Sequence, residues 1–282
     1  MIRKPLPNPA MTRRTKLMIG AAALLISGGV AARTFLLPPT HSTPVKATPS
    51  VSSAEFDHDH KAFDEILKSH VKSNRVDYAA LKANPMKLNA YLGQLAAVEE
   101  AEFYKWGEQQ QLAMLINLYN AATLKLVIDH YPVKSIKNIG GLFKRPWDIK
   151  SLTLFGESTT LGHVEHGLLR KKYSEPRIHF AIVCAAEGCP PLRARAYTAA
   201  QLDSQLEEQG RAFLRDSGKN RVDAANRTVY LSKIFDWFEE DFEKDGSVID
   251  FVAPYFAPAD SKALRSHFKI KYTDYDWSLN KR

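Results

Sequence analysis

Cys184 and Cys189 are the only cysteines of the 282-residue chain, and they share residues 163–189 with His163, His166 and His179. No other stretch combines nucleophile, base and metal-ligand side chains. Three chemistries are open to this set. In the first, Cys189 is a thiolate nucleophile whose pKa is lowered by His166 or His179, which suits hydrolysis or acyl transfer at an amide or ester. In the second, His163 and His166 present their rings on one side of a helix and hold zinc with a cysteine or His179. In the third, the two sulfurs close a local disulfide and the histidines are structural. No closed ligand set is visible, so no metal or other cofactor is assigned. The three alternatives stay open on the residues alone.

The elements around these residues follow from apolar patterning. Arg177–Cys184 is a nearly continuous apolar run, which predicts an interior strand delivering the chain to the loop 185–188. On that reading Cys184, at the strand end, is shielded. Val164–Lys172 predicts a short helix carrying His166. Gln109–Tyr131 predicts a long helix stopped by Pro132, apolar all round and therefore central and buried. Asn117 and Asn120 interrupt it on one side. A buried amide must be hydrogen-bonded, so the pair either pins neighbouring loops or faces a pocket.

Other elements are expected at 55–71 and 88–98 (helices), 151–155 (strand), 221–231 (a hairpin around Ala225-Asn226) and 234–242 (an aromatic-rich helix). Thr198 and Gln201 have the spacing of a capping box for a helix running to about Arg215. Asp57-His58-Asp59-His60 resembles a metal cluster, but four consecutive residues point in different directions; they are expected to form a solvated helix end. The fold class expected is α+β: a single mixed domain over 55–282, its buried central helix packed on a small sheet.

The net charge of +8 is concentrated at the N-terminus. Arg3, Lys4, Arg13, Arg14, Lys16 and Arg33 supply six of these charges, no acid precedes Glu55, and residues 34–282 carry +2. The folded part therefore has no basic stripe for nucleic acid, and no nucleic-acid partner is expected. Met11–Lys16 is a positive flank before the uncharged run Leu17–Ala32, and Val30-Ala31-Ala32 offers a cleavage site. Residues 1–37 are expected to be a signal peptide or, if uncleaved, a membrane anchor. The Pro/Ser/Thr-rich stretch 38–54 is expected to be a linker. The domain would then be periplasmic or otherwise extracytoplasmic, touching the membrane only through its N-terminal segment.

Leu115-Ile-Asn-Leu-Tyr-Asn-Ala121, Val164-Glu-His-Gly-Leu-Leu-Arg170 and Arg177-Ile-His-Phe-Ala-Ile-Val-Cys-Ala-Ala-Glu-Gly-Cys-Pro-Pro-Leu192 resemble the domain of unknown function 547 family. Val76-Asp-Tyr78 and Tyr275-Asp-Trp-Ser-Leu-Asn280 are similar to its bacterial members. Met114-Leu115 replaces an aromatic that the family often carries there, a change of local packing. The resemblance implies no established activity. It does imply that the recurring elements share a pocket: Asn117 and Asn120, Glu165 and His166, Arg177 and His179, and Cys189 with Pro190. The expected site therefore has Cys189, His166 and His179 as catalytic groups, with Asn117, Asn120, Glu165 and Arg177 binding a small-molecule or peptide ligand. The non-catalytic alternative gives the same pocket a ligand and a Cys184–Cys189 bridge.

Overall fold

Residues 112–128 are apolar around a whole helix except at Asn117, Asn120, Thr123 and Lys125, and they become the axis of the fold. The structure, a computed structural model, describes residues 56–141 and 144–282. The expected export segment (1–37), the linker (38–54) and Glu55 lie outside the described residues.

The chain enters through α1 (Lys61–His70) and a tight hairpin, β1 (Val71–Lys72) and β2 (Arg75–Val76). Ser73 and Asn74 turn that hairpin at positive φ, the backbone a two-residue turn demands. Then come α2 (Tyr78–Ala83), α3 (Met86–Ala96), α4 (Glu100–Phe103) and the axial helix α5 (Glu108–His130). At its start the Gly107 N–H is capped by the Gln110 side chain. It stops where Tyr131 turns extended ahead of Pro132, since the residue before proline is pushed out of the helical region. By length and composition α5 could cross a membrane, but its faces are covered by the rest of the domain. Helices α2 and α3, the ribbon strand β3 (Lys150–Leu154) and the turn at 163–169 pack around it. Each fully buried Leu or Ile there contributes about 1.5 to 3 kcal/mol. The fold is a single α+β domain with a buried central helix, as the pattern predicts.

β3 pairs with β4 (Glu157–Thr160) as an antiparallel ribbon. Beyond it a wide, π-type helical turn, His163–Leu169, runs into α6 (Arg170–Lys172). The predicted strand at 177–184 is corrected here. Its first half is the helical turn α7 (Ile178–Ala181), opened by N–H bonds from Ile178 and His179 back to Glu175 and Pro176. Its second half is extended but pairs with the Asn120 side chain instead of a strand. An apolar run reports burial, and burial alone does not distinguish a strand from a buried helical turn.

Two further expectations, the Thr198 cap and the unbroken aromatic helix, are corrected in detail, and the expected hairpin forms. The Thr198 side chain makes no cap; its N–H donates to Gln205, and the short 3-10 turn Ala199–Gln201 leads into α8 (Leu202–Leu214). The hairpin forms as β5 (Arg221–Asp223) and β6 (Thr228–Leu231). The aromatic helix is broken at Phe238 into α9 (Ile234–Trp237) and α10 (Glu239–Phe242). After α11 (Val248–Val252) and α12 (Pro258–Leu264), strand β7 (Lys269–Tyr272) joins β6 in parallel. The strands of this sheet cover a second, aromatic-rich core around Phe180, Phe213, Phe235 and Phe242.

The solvated end expected at 57–60 is half right. Asp57 lies at the surface and its carboxylate accepts the N–H groups of Asp59 and Lys61. His60, however, adopts left-handed backbone geometry that turns its ring inward. It is 1% exposed, its Nδ1 meets the Tyr91 hydroxyl at 2.8 Å, and burial lowers its pKa to about 4.

Candidate functional site

The two sulfurs meet. Cys184 Sγ and Cys189 Sγ are 2.8 Å apart as free thiols, outside the bonding distance of about 2.05 Å. The Cys184 N–H donates to Cys189 Sγ at 2.9 Å, and the Tyr275 hydroxyl lies 3.1 Å from Cys184 Sγ. Burial opposes ionisation of Cys189. The Cys184 thiol and N–H, Tyr275 and the Lys219 charge outweigh it and hold the Cys189 thiol below its ordinary value. Burial and the neighbouring sulfur push Cys184 well up. The pair therefore ionises at Cys189 first.

Backbone hydrogen bonds fix this geometry. Ala185 takes positive φ (59°), an unfavourable conformation for a residue with a Cβ, and so reverses the chain between the sulfurs. The C-terminal tail grips the loop from outside: Glu187 and Gly188 N–H donate to Ser278 and Asp276, and Asn280 N–H donates to Ala185. Gly188 is required there, because a Cβ would lie 2.9 Å from the Asp276 nitrogen. From inside, Asn120 donates to Ala181 O and accepts from Val183 N–H, holding the segment that ends in Cys184. Lys219 Nζ bonds Cys189 O at 2.9 Å.

A second centre forms beside α6. Asp241 Oδ2 accepts from His179 Nε2 at 2.7 Å and from Arg170 Nε at 2.5 Å. Arg170 Nη1 lies 3.0 Å from His166 Nδ1. Phe238, placed by the break between α9 and α10, stacks on His179 at 4.1 Å and carries the Arg170 guanidinium on its ring at 5.0 Å. Burial raises Asp241, but the His179 and Arg170 bonds prevail and hold it well below the carboxylate range. Burial keeps His179 neutral, lowering its pKa against the pull of Asp241. Next door, Glu165 is buried and pushed up to about 7, with Tyr119 donating to its Oε2 at 2.9 Å and Trp147 donating to Tyr119.

The expected site residues thus divide. Cys189 is buried beside Cys184, and it is Cys184 that retains partial exposure, the reverse of the order expected from a strand ending at Cys184. The hydrogen-bond and ring partners of His166 and His179 are Arg170, Asp241, Phe238 and Phe242; neither sulfur is among them. Asn117 and Asn120 are fully buried and spend their amides on backbone groups. Asn117 pairs with both backbone groups of Tyr197, so both amides pin loops. Arg177 is bound to Glu175 and Asp203, and neither sulfur is among its partners. No group of three metal-ligating side chains occurs among the described residues. A concavity bordered by Glu65, Ser69, His70 and Asn84 lies between the first helices and includes none of these groups.

Sequence reasoning missed Arg170, Asp241, Tyr275 and Lys219. Arg170 closes the Val164–Arg170 segment and Tyr275 opens the Tyr275–Asn280 segment, so both stood inside marked motifs. Asp241 is one acid in an acidic run, and nothing in the sequence separates it from Glu239 or Glu240. Residues 103–214 match a family model described as Protein of unknown function, DUF547. The matched span contains both sulfurs, His166, His179 and Arg170, and leaves Asp241 and Tyr275 beyond it. No curated protein and no solved structure matches the chain.

Proposed function

We propose that this chain, which belongs to the DUF547 family through residues 103–214, is an exported domain that exchanges disulfides with thiol substrates through Cys184 and Cys189. The observation that carries the reading is the 2.8 Å approach of two free sulfurs with the stabilising donors gathered on Cys189. A Cys–His hydrolase needs an imidazole within hydrogen-bond reach of the sulfur, and neither sulfur is among the hydrogen-bond partners of His166 or His179. Disulfide exchange needs none.

The asymmetry sets a direction. In the bridged form a substrate thiolate attacks Cys184 Sγ, the sulfur of the residue that keeps partial exposure. The Cys184–Cys189 bond breaks, a substrate–Cys184 bond forms, and the electron pair leaves on Cys189. A low-pKa leaving thiol departs faster. A second substrate thiolate then attacks the substrate sulfur of the mixed disulfide and releases Cys184, which takes up a proton. The substrate gains a disulfide and the protein becomes a dithiol; exchange with a small-molecule disulfide restores the bridge. Stabilising the reduced form makes such a bridge oxidising. The basic flank and apolar run at 11–32 support an oxidising, extracytoplasmic setting for this cycle.

The test is a redox titration of the purified protein against glutathione, with trapping by a dithiol peptide. The expected midpoint is less negative than about −200 mV, and Cys189→Ser should accumulate a mixed disulfide at Cys184. A bridge reduced only in denaturant would instead make it a structural staple in a binding module. A reporter fused after residue 60 should be active only outside the cytoplasm; activity inside would overturn the export reading.

A further inference from the structure

A guanidinium has five N–H donors and accepts nothing. Arg170 places Nε on Asp241 and one Nη1 proton on His166 Nδ1. Its Nη2 has no hydrogen-bond acceptor among the described residues, and the side chain is 23% exposed. Because Arg170 can only donate, His166 Nδ1 holds a lone pair. The neutral ring therefore carries its proton on Nε2. His166 is exposed, and Nε2 likewise has no partner among the described residues. Two neighbouring, solvent-exposed or partly exposed side chains thus each keep an unused donor, Arg170 Nη2 and His166 Nε2.

Position and charge are both set in advance. The Arg170 plane lies over Phe238 and its Nε is tied to Asp241, so neither the rotamer nor the ring tautomer has to change on binding. Asp241 is shared among Arg170, His179 and Lys244, which leaves one positive charge in excess. Glu165, pushed up by burial, adds only part of a negative charge at neutral pH. Arg145 and Arg170 both act on His166 as positive neighbours.

We propose that Arg170 and His166 form a binding site for a small oxyanion, a carboxylate or a phosphate, with Phe238 as the floor beneath the guanidinium. Planar paired donors suit such oxygens. The site is independent of the sulfur chemistry, and its failure would leave the exchange reading untouched.

The experiment titrates the full-length protein with inorganic phosphate and, separately, acetate at constant ionic strength, following the His166 ring resonances and binding heat. Saturable binding of at least one anion is expected, with the His166 pKa rising as the anion occupies the site. The stronger of the two identifies the ligand class. His166→Ala, a surface change, should weaken binding at least tenfold, and Arg170→Lys should do the same while folded. His163→Ala, on the same turn, should leave binding unchanged. A linear, non-saturating response to both anions overturns the proposal, as does an affinity that His166→Ala leaves intact.

Discussion

The sulfur loop and the imidazoles of the second centre come from the same stretch of chain, 163–189, yet they are held by different means. The loop is set mainly by neutral contacts to its backbone, Asn120 from inside and the tail 276–280 from outside, with Lys219 the charged exception at Cys189 O. The second centre is set by charged side chains meeting on one carboxylate oxygen. Neutral backbone bonds are indifferent to pH and salt over the ordinary range. A centre whose acid is depressed and whose neighbouring acid is raised responds to both. Two sites close in sequence but held by different contacts should therefore separate under perturbation.

The largest effect is expected at Asn120. Asn120→Leu leaves Ala181 O and Val183 N–H buried without partners, each at a cost of about 1 to 3 kcal/mol. Urea unfolding should show a loss of about 2 to 6 kcal/mol, and Cys184 should become more reactive to iodoacetamide. Asn117→Leu should cost as much, through Tyr197, while leaving the thiols unchanged. Equal thiol reactivity in the two variants would break the claim that Asn120 sets the loop.

Next in size is Glu165. Its folded pKa is raised from the ordinary carboxylate value to about 7, so the native state binds the proton more tightly than the unfolded chain. Stability from this group is fully present at low pH, falls as pH rises through the window from about 4.5 to 7, and stays low above it. At about 1.4 kcal/mol per pKa unit, Glu165→Gln should gain about 3 kcal/mol on the parent between pH 4 and pH 8. A constant difference across that range would place the carboxyl in water. Asn120→Leu, by contrast, should show no pH dependence of its own.

Asp241 carries the opposite sign. Its pKa is depressed, so its contribution is present above the ordinary carboxylate value near 3.9 and is lost as pH falls through the depressed folded value. Asp241→Asn should cost about 1.5 to 3 kcal/mol at pH 7, the scale of hydrogen bonds to a charged partner. Because the charged acid holds a proton on His179, the His179 pKa should drop further in this variant, as read by NMR. An unchanged His179 titration would dissolve the pairing on which the second centre rests.

The smallest effect is expected at the sulfurs. In the reduced native protein the onset of alkylation should follow the ionisation of Cys189, which loses its proton first, and Cys184 should label only at higher pH. Tyr275→Phe should raise the thiolate titration, followed by absorbance near ~240 nm, by less than about one pKa unit, roughly 1.4 kcal/mol. No shift would mean that the hydroxyl does not reach the thiolate.

The buried axis was legible because periodicity states directly how many sides of a helix avoid water: Leu112 to Ile128 leave no polar face, and Pro132 marks the end. The amides on that axis were legible as residues requiring partners. Which partners was not, since Ala181, Val183 and Tyr197 are brought to them by chain folding over more than sixty residues.

Residues 177–184 mark the limit from the other side. The sequence by itself determined that they are buried, that two sulfurs stand five residues apart and that histidines flank them. Only the tertiary structure decided that the run is a helical turn followed by a strap, that Cys184 is the more exposed residue of the two, and that His179 goes to Asp241 and His166 to Arg170. The reason is the range of the forces. Burial and helix periodicity are local sums over a residue's own neighbours in sequence. The acidity of Cys189 and the proton position on His179 depend on single contacts from Lys219, Tyr275 and Asp241, residues brought in by the turn after α8, the C-terminal tail and α10.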